Sequence, residues 1–226
     1  MPTVLITGAN RGIGLELARQ YSAKGWRVLA TCRDPGAASE LTAVEGDVDV
    51  YALNVDDAAS VEALATTLKG QAVDVLFNNA GINVKKGPSI GDIDYGDWAA
   101  TMDTNVFGPI RVAWAFRENV LASSRKIMAF TSSKMGSIAE NTGGSITYRT
   151  SKTALNMAVS CLGIELKDRG IITVMFHPGH VRTDMGGPTA PVTAPQSAEG
   201  MRKVIATLGP DDNGSFKNFD GTPLPW

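Results

Sequence analysis

The sequence predicts an α/β protein built on one doubly wound parallel sheet with helices on both faces. Three observations predict it. Short apolar runs rich in β-branched residues alternate with segments whose apolar residues recur every three or four positions. A glycine-rich turn directly follows the first such run. Three stretches rich in Gly, Pro, Ser or Thr, from Ile82 to Asp97, Lys134 to Thr147 and Pro178 to Pro195, each follow a predicted strand. Ligands of doubly wound folds bind beyond the carboxyl ends of the strands, so all three stretches should face one cleft.

The elements follow in order. Val4 to Thr7 is a buried strand stopped by Gly8, and Gly14 to Ala23 carries the apolar spacing of a helix. Val28 to Thr31 and Val48 to Leu53 are the next buried strands, then a helix from Ala58 to Leu68 and a strand from Val73 to Phe77. A long helical pattern runs from Trp98 to Leu121, then a strand from Ile127 to Thr131, a helix from Ser151 to Leu166 and a strand from Ile171 to Phe176. Strand and helix alternate throughout, which calls for parallel strands joined by right-handed crossovers. No linker, repeat or low-complexity tract interrupts the pattern, so residues 1–226 are expected to form one domain.

Composition narrows the function. Lys+Arg 21 against Asp+Glu 23 leaves a net charge of -2, with no basic excess for a phosphate backbone, so no nucleic-acid partner is expected. The start Met1-Pro2-Thr3-Val4-Leu5-Ile6 has no basic leader, and no apolar run approaches the roughly 18 residues of a membrane helix. A cytoplasmic protein with no membrane partner is expected. Cys32 and Cys161 lie outside any metal or C-x-x-C spacing, so neither a metal site nor a disulfide framework is indicated.

The turn Thr7-Gly8-Ala9-Asn10-Arg11-Gly12-Ile13-Gly14 enters a helix at Leu15. Its glycines let the backbone approach a pyrophosphate, and the helix start offers unpaired N–H groups and a positive dipole end. No Gly-Lys-Ser/Thr follows, which favours a dinucleotide over a magnesium-bound triphosphate. The choice of dinucleotide turns on the end of the second strand. Arg33, with Arg11 in the glycine turn, offers charge for a 2′-phosphate and predicts NADP (NADPH). Asp34 stands about 20 residues after Gly14, where a ribose-binding acid would be sought. As the residue before Pro35 it is also a good helix N-cap, which is the preferred reading.

Tyr148 and Lys152 stand four apart on a predicted helix and therefore share a face. An ammonium about 4 Å away at an effective dielectric near 20 contributes on the order of 4 kcal/mol, close to three pKa units. The cation alone could thus bring the phenol from about 10 toward working pH.

With Asn78-Asn79-Ala80-Gly81 after the fourth strand, Asn105-Val106-Phe107-Gly108, Ser133-Lys134-Met135-Gly136, the Tyr148/Lys152 pair and Pro178-Gly179, the sequence resembles the short-chain dehydrogenase/reductase family. Within it, Asn10 to Glu16, Tyr148 to Lys152, His177 to Gly187 and the tail Phe219 to Trp226 resemble carbonyl reductases of the sniffer and C-signal-factor type. The resemblance implies a Rossmann fold and NADPH-dependent reduction of aldehydes, ketones or quinones. It implies Tyr148 as general acid, Lys152 holding the nicotinamide ribose and lowering the phenol pKa, and Ser133 hydrogen-bonding the substrate oxygen. Ser133, not Ser132, keeps the spacing of three to Gly136. Asn105 would distort a helix and anchor a water leading from Lys152 to solvent, and Asn78 would brace the sheet.

For the cofactor the resemblance implies contacts from Gly8, Asn10, Arg11, Gly12, Ile13, Gly14 and Arg33. It adds Asn54 and Val55, then Asn79, Ala80 and Gly81, then Pro178, Gly179, Val181 and Thr183, besides Tyr148 and Lys152. Asn54 departs from the family's usual aspartate, but an amide oxygen can still accept from the adenine amino group. The interval from Ser133 to Tyr148 implies a loop over the cleft around Ala139 to Ser145. His177 is expected to be structural, while His180 stays open between a structural role and contact with nicotinamide or substrate. Met135, Ile138 and Met185 are candidate pocket walls, Cys32 would lie near the adenosine, and Cys161 would be buried. The family also implies a homo-oligomer, for which Trp114, Phe116 and Met157 would supply apolar surface. Two rivals remain, an NAD-dependent alcohol dehydrogenase and a dinucleotide-binding signalling protein with little catalysis.

Overall fold

The computed structural model describes residues 1–84 and 90–226; part of the Ile82 to Asp97 stretch therefore lies outside the described residues. Seven strands form one sheet in the order β3-β2-β1-β4-β5-β6-β7. They are β1 (Thr3–Ile6), β2 (Arg27–Cys32), β3 (Val48–Ala52), β4 (Val75–Asn78), β5 (Ile127–Thr131), β6 (Ile172–His177) and β7 (Ser215–Asn218). Every neighbouring pair is parallel, with registers such as Leu5 opposite Leu29 and Leu76 opposite Met128. The chain winds one way from β1 to β3 and the other way from β4 to β7, so the switch point lies between β1 and β4.

Helices cover both faces: α1 (Gly12–Ala23), α2 (Ser39–Thr42), α3 (Ala58–Thr67), α4 (Tyr95–Met102), α5 (Gly108–Ala115), α6 (Arg117–Leu121), α7 (Ile146–Leu166) and α8 (Ala194–Thr207). Alternation along the strands splits the core in two. Leu5, Leu29, Leu76, Met128 and Met175 meet α3, α5 and α7 on one face. Val4, Ile6, Val28, Phe77 and Phe176 meet α1 and α8 on the other.

Several expectations need correction. The helical run from Trp98 to Leu121 is broken, because Asp103–Phe107 is π-helical and Phe116 separates α5 from α6. The run Val48 to Leu53, expected to be a buried strand, becomes half-buried β3 at the sheet edge, with Ala52 exposed. Helix α7 begins at Ile146, five residues before the expected start. Strand β7 and helix α8 were not expected. Only Phe216 of β7 is buried, which left no alternation to find. The start of α8 does carry a signal, the capping box of Thr193 with Gln196 and Pro195 in the first turn. Cys161 is exposed on α7, not buried. Among the described residues no helix is long and apolar enough to cross a membrane, and no cluster of His, Cys, Asp or Glu is placed to hold a metal.

Candidate active site

The glycine turn sits at the switch point and is stitched to β2 and β4. Thr7 N donates to Phe77 O at 3.0 Å, and Ala9 N donates to Thr31 O at 2.8 Å. Gly8 and Gly12 have φ of 64° and 56°, which side chains rarely tolerate. A Cβ on Gly14 would lie 2.2 Å from Gly8 O and 2.6 Å from Asn79 Nδ2, so the turn closes only with glycine there. Asn79 Nδ2 donates to Thr7 O and Gly8 O at 3.1 Å each, while Thr7 Oγ1 accepts from Asn79 N and Ala80 N. The bracing expected of Asn78 therefore falls to Asn79. Both side-chain polar atoms of Asn78 are buried without a protein partner.

Arg11 precedes α1 in extended conformation, and no side chain caps the helix start. Free N–H groups beside two positive-φ glycines fit a pyrophosphate. Asn10 is exposed, and Ile13 packs against the core under the turn. Arg33 is exposed just beyond the end of β2, next to buried Cys32. Asp34 caps the short helical turn after it, its Oδ1 accepting from Gly36 N and Ala37 N, as the cap reading expects. Asn54 Oδ1 accepts from Asp56 N at 3.3 Å and keeps a second lone pair. Val55 is buried against Gly108 of α5.

Across the cleft, the turn after β5 meets α7. Ser133 Oγ accepts from Met135 N at 3.1 Å and lies near the Tyr148 hydroxyl, whose pKa it lowers. Ser132 is instead buried against Asn156, its hydroxyl 2.5 Å from Oδ1, which separates the two serines as their spacing had. A Cβ on Gly136 would lie 2.8 Å from the main-chain carbon of Lys152, so this turn rests directly on α7. Lys152 is buried, donates from Nζ to Thr131 O at 2.9 Å and stands 5.7 Å from the centre of the Tyr148 ring.

The electrostatics differ from the expectation. Tyr148 keeps some accessible surface but is closely surrounded by protein, and the resulting desolvation pushes its pKa up to about 12, with the Ser133 hydroxyl pulling slightly the other way. Burial lowers Lys152 to about 8. Loss of hydration thus outweighs the attraction expected between cation and phenolate. A phenol in this setting holds its proton.

Asn105 lies fully buried in the π-helical stretch, so it does sit at a helix distortion. Its Oδ1 accepts from Ile82 N at 2.8 Å, and its Nδ2 donates to Ile82 O and to Ser151 Oγ. These bonds tie the loop after β4 to α7 beside Lys152. A Cβ on Gly81 would reach within 3.2 Å of Asn105 Oδ1 and 3.6 Å of Lys152 Nζ.

The third loop follows β6. Gly179 has a φ of 88°, and Val181 is buried and bridged to Val192. Thr183 covers the glycine turn, its Cγ2 being 3.2 Å from where a Cβ of Gly12 would stand. Arg11 Nη1 pairs with Asp184 Oδ2 at 2.9 Å, a contact the sequence did not single out. His180 Nε2 is 2.8 Å from Gly186 O, which gives it a structural partner within its own loop. His177 ends β6, and burial, with the charge of Lys134 and the proximity of His180, lowers its pKa to about 4. It is a neutral imidazole near pH 7. Met135 is half-buried, while Ile138 and Met185 are exposed on the loops after β5 and β6.

A doubly wound sheet with this glycine turn at its switch point and a Ser/Tyr/Lys cluster at the strand ends belongs to the dinucleotide-fold oxidoreductases. The family model for short chain dehydrogenase matches residues 2–192, and the chain belongs to that family. It is 44% identical over 167 residues to C-signal of Myxococcus xanthus, covering 74% of this chain and all of that protein. It superposes on the carbonyl reductase Sniffer of D. melanogaster with a TM-score of 0.93 at 35% identity, over the full length of both chains. The NADPH-bound carbonyl reductase from chicken fatty liver gives a TM-score of 0.92 at 34% identity, covering 100% of this chain and 99% of that one. The chain is thus a carbonyl-reductase-like oxidoreductase.

Proposed function

We propose that this protein reduces aldehydes, ketones or quinones to alcohols with NADPH. The observation that carries the reading is the neighbouring Ser133 and Tyr148 hydroxyls beside buried Lys152, at the strand ends where the glycine turn also lies. When bound, the nicotinamide supplies a hydride to the carbonyl carbon. Tyr148 donates its phenolic proton to the carbonyl oxygen, a role that suits a group whose pKa is raised to about 12. Ser133 donates a hydrogen bond to the same oxygen and stabilises the charge that develops there. Lys152 holds the ribose hydroxyls, and Asn105 fixes the loop beside it and anchors a water that leads to solvent. Gly8, Asn10, Gly12, Ile13 and Gly14 cradle the pyrophosphate. Asn54, Val55, Asn79, Ala80 and Gly81 line the adenosine side, and Pro178, Gly179, Val181 and Thr183 close the remaining side. Oxidation of NADPH in the presence of a panel of quinones, diketones and aromatic aldehydes and ketones tests the activity.

The 2′-phosphate selects the cofactor. Arg33 is exposed, whereas Arg11 already pairs with Asp184, so Arg33 carries the larger share. A charge-assisted bond contributes roughly 1.5–3 kcal/mol, so Arg33→Ala weakens NADPH binding by about 10- to 150-fold. NADH binding stays within about twofold, since it offers no phosphate to lose. Equal weakening of both cofactors in a titration would transfer the ribose role to Asp34.

The likeness to C-signal favours a second reading, a signalling role, which the Ser133, Tyr148 and Lys152 set does not require. A homodimer belongs to the same proposal. Trp114, Met157 and Ile164 are exposed on α5 and α7, while Phe116, expected to join them, is fully buried. Paired across a two-fold axis, these helices would bury that stripe. Sedimentation at micromolar protein is expected to give a dimer, and a monomer would refute it.

A further inference from the structure

The loop between Ser133 and Tyr148 starts and ends at the two hydroxyls of the candidate site. Its middle is pinned from three directions. Arg149, on α7, donates to Gly143 O, Gly144 O and Thr142 Oγ1. Lys134 pairs with Glu140 at 2.6 Å. The third pin comes from far along the chain. After β7 the backbone turns at Asp220-Gly221, with Asn218 N donating to Thr222 O, and runs back antiparallel, with Leu224 N donating to Phe216 O. Trp226 then stacks on Phe216, ring centres 5.6 Å apart. Its carbonyl oxygen accepts from Ala139 N at 2.9 Å and from Ser137 Oγ at 3.2 Å.

We propose that Trp226 is a positioning residue for substrate selection, holding the loop at 137–140 as a fixed wall of the cleft. The reading rests on the carbonyl reductase function proposed above. Phe216 is buried in the core, so the Trp226 ring ties its own carbonyl, and through it the loop, to the sheet. Ile138, 71% exposed, lies between the two anchored residues and is carried by them. A wall held this way favours small carbonyl compounds that it can contact, and a loosened wall gives way to bulky ones. Thr153 Oγ1 bonds Gly136 O independently, so the turn next to Ser133 stays seated when the tail is released.

The test compares Trp226→Ala with Trp226→Phe, which keeps an aromatic ring for Phe216. Hydrogen exchange reads the pin directly. Trp226→Ala raises exchange at the Ala139 amide by at least about tenfold and leaves the Gly136 amide unchanged, while Trp226→Phe stays near wild type. In the same variant the ratio of kcat/KM for a bulky aromatic ketone to that for a small aldehyde rises by about fivefold or more, through KM, and NADPH affinity holds within about twofold. Unchanged exchange at Ala139 overturns the proposal. So does loosened exchange with an unchanged substrate ratio, or an equal loss in both substrates and cofactor, which would mark a merely structural residue. Wild-type protein that reduces no carbonyl compound overturns the function reading, and the substrate role of Trp226 with it.

Discussion

Replacing Tyr148 by Phe lowers carbonyl reduction by about 10²- to 10⁴-fold while NADPH binding persists. The substitution removes the hydroxyl and leaves the ring, so α7 keeps its packing. No other proton donor among the described residues stands ready at that point. Lys152 Nζ is turned to the Thr131 carbonyl, Ser133 has an alcohol's high pKa, and His180 is held in its own loop by Gly186. His177 is neutral near pH 7 and half-buried at the end of β6. Turnover and a fluorescence titration of NADPH, measured on the same preparation, separate chemistry from binding. A variant that keeps more than about a tenth of wild-type turnover contradicts the assignment of Tyr148.

Lys152→Met is expected to damage turnover and cofactor binding together. The side chain is buried, and methionine fills similar space without a charge or a donor. Three consequences coincide: the Thr131 carbonyl loses its partner, the ribose hydroxyls lose theirs, and the positive charge near the Tyr148 ring disappears. Losing preorganised electrostatic stabilisation of this kind costs at least about 10²-fold in turnover. Lost turnover with unchanged NADPH affinity would contradict the double role. The wild-type pH profile carries the same argument. Because burial lowers Lys152 to about 8, the ammonium is present below that pH and is lost above it. The reduction rate therefore stays level toward neutral pH and falls through about pH 8, while Tyr148, raised to about 12, remains a donor across the range. A rate that rises above pH 8 would place the cation's role elsewhere.

The strands and the glycine turn were legible because each is short, local and bounded: Gly8 stops the first run, and β-branched residues mark the next. The break in the helix from Trp98 to Leu121 was not legible in the apolar spacing, since its cause is tertiary, and only the resemblance pointed to a distortion at Asn105. Asn105 is drawn to both polar atoms of the Ile82 backbone, and the helix widens to let it reach them. The order of Ser133, Tyr148 and Lys152 was readable from spacing, but their charge states were not. Spacing places an ammonium near a phenol and says nothing of how much water each loses, and it was burial that moved the two pKa values apart. The tail was visible only as a resemblance, because the contact between Trp226 and Ala139 joins residues far apart in sequence through one carbonyl oxygen.

The central claim is that a hydride passes from the bound cofactor to a carbonyl carbon at the Ser133, Tyr148 and Lys152 cluster. The most direct measurement is to supply NADPH deuterated at the transferable position of the nicotinamide and to locate the label in the product. The account predicts deuterium on the new alcohol carbon of a reduced diketone, aromatic aldehyde or aromatic ketone, formed at least about 10²-fold more slowly when Tyr148→Phe replaces the wild type. An alcohol formed without label, or labelled alcohol formed equally fast by the variant, would contradict it.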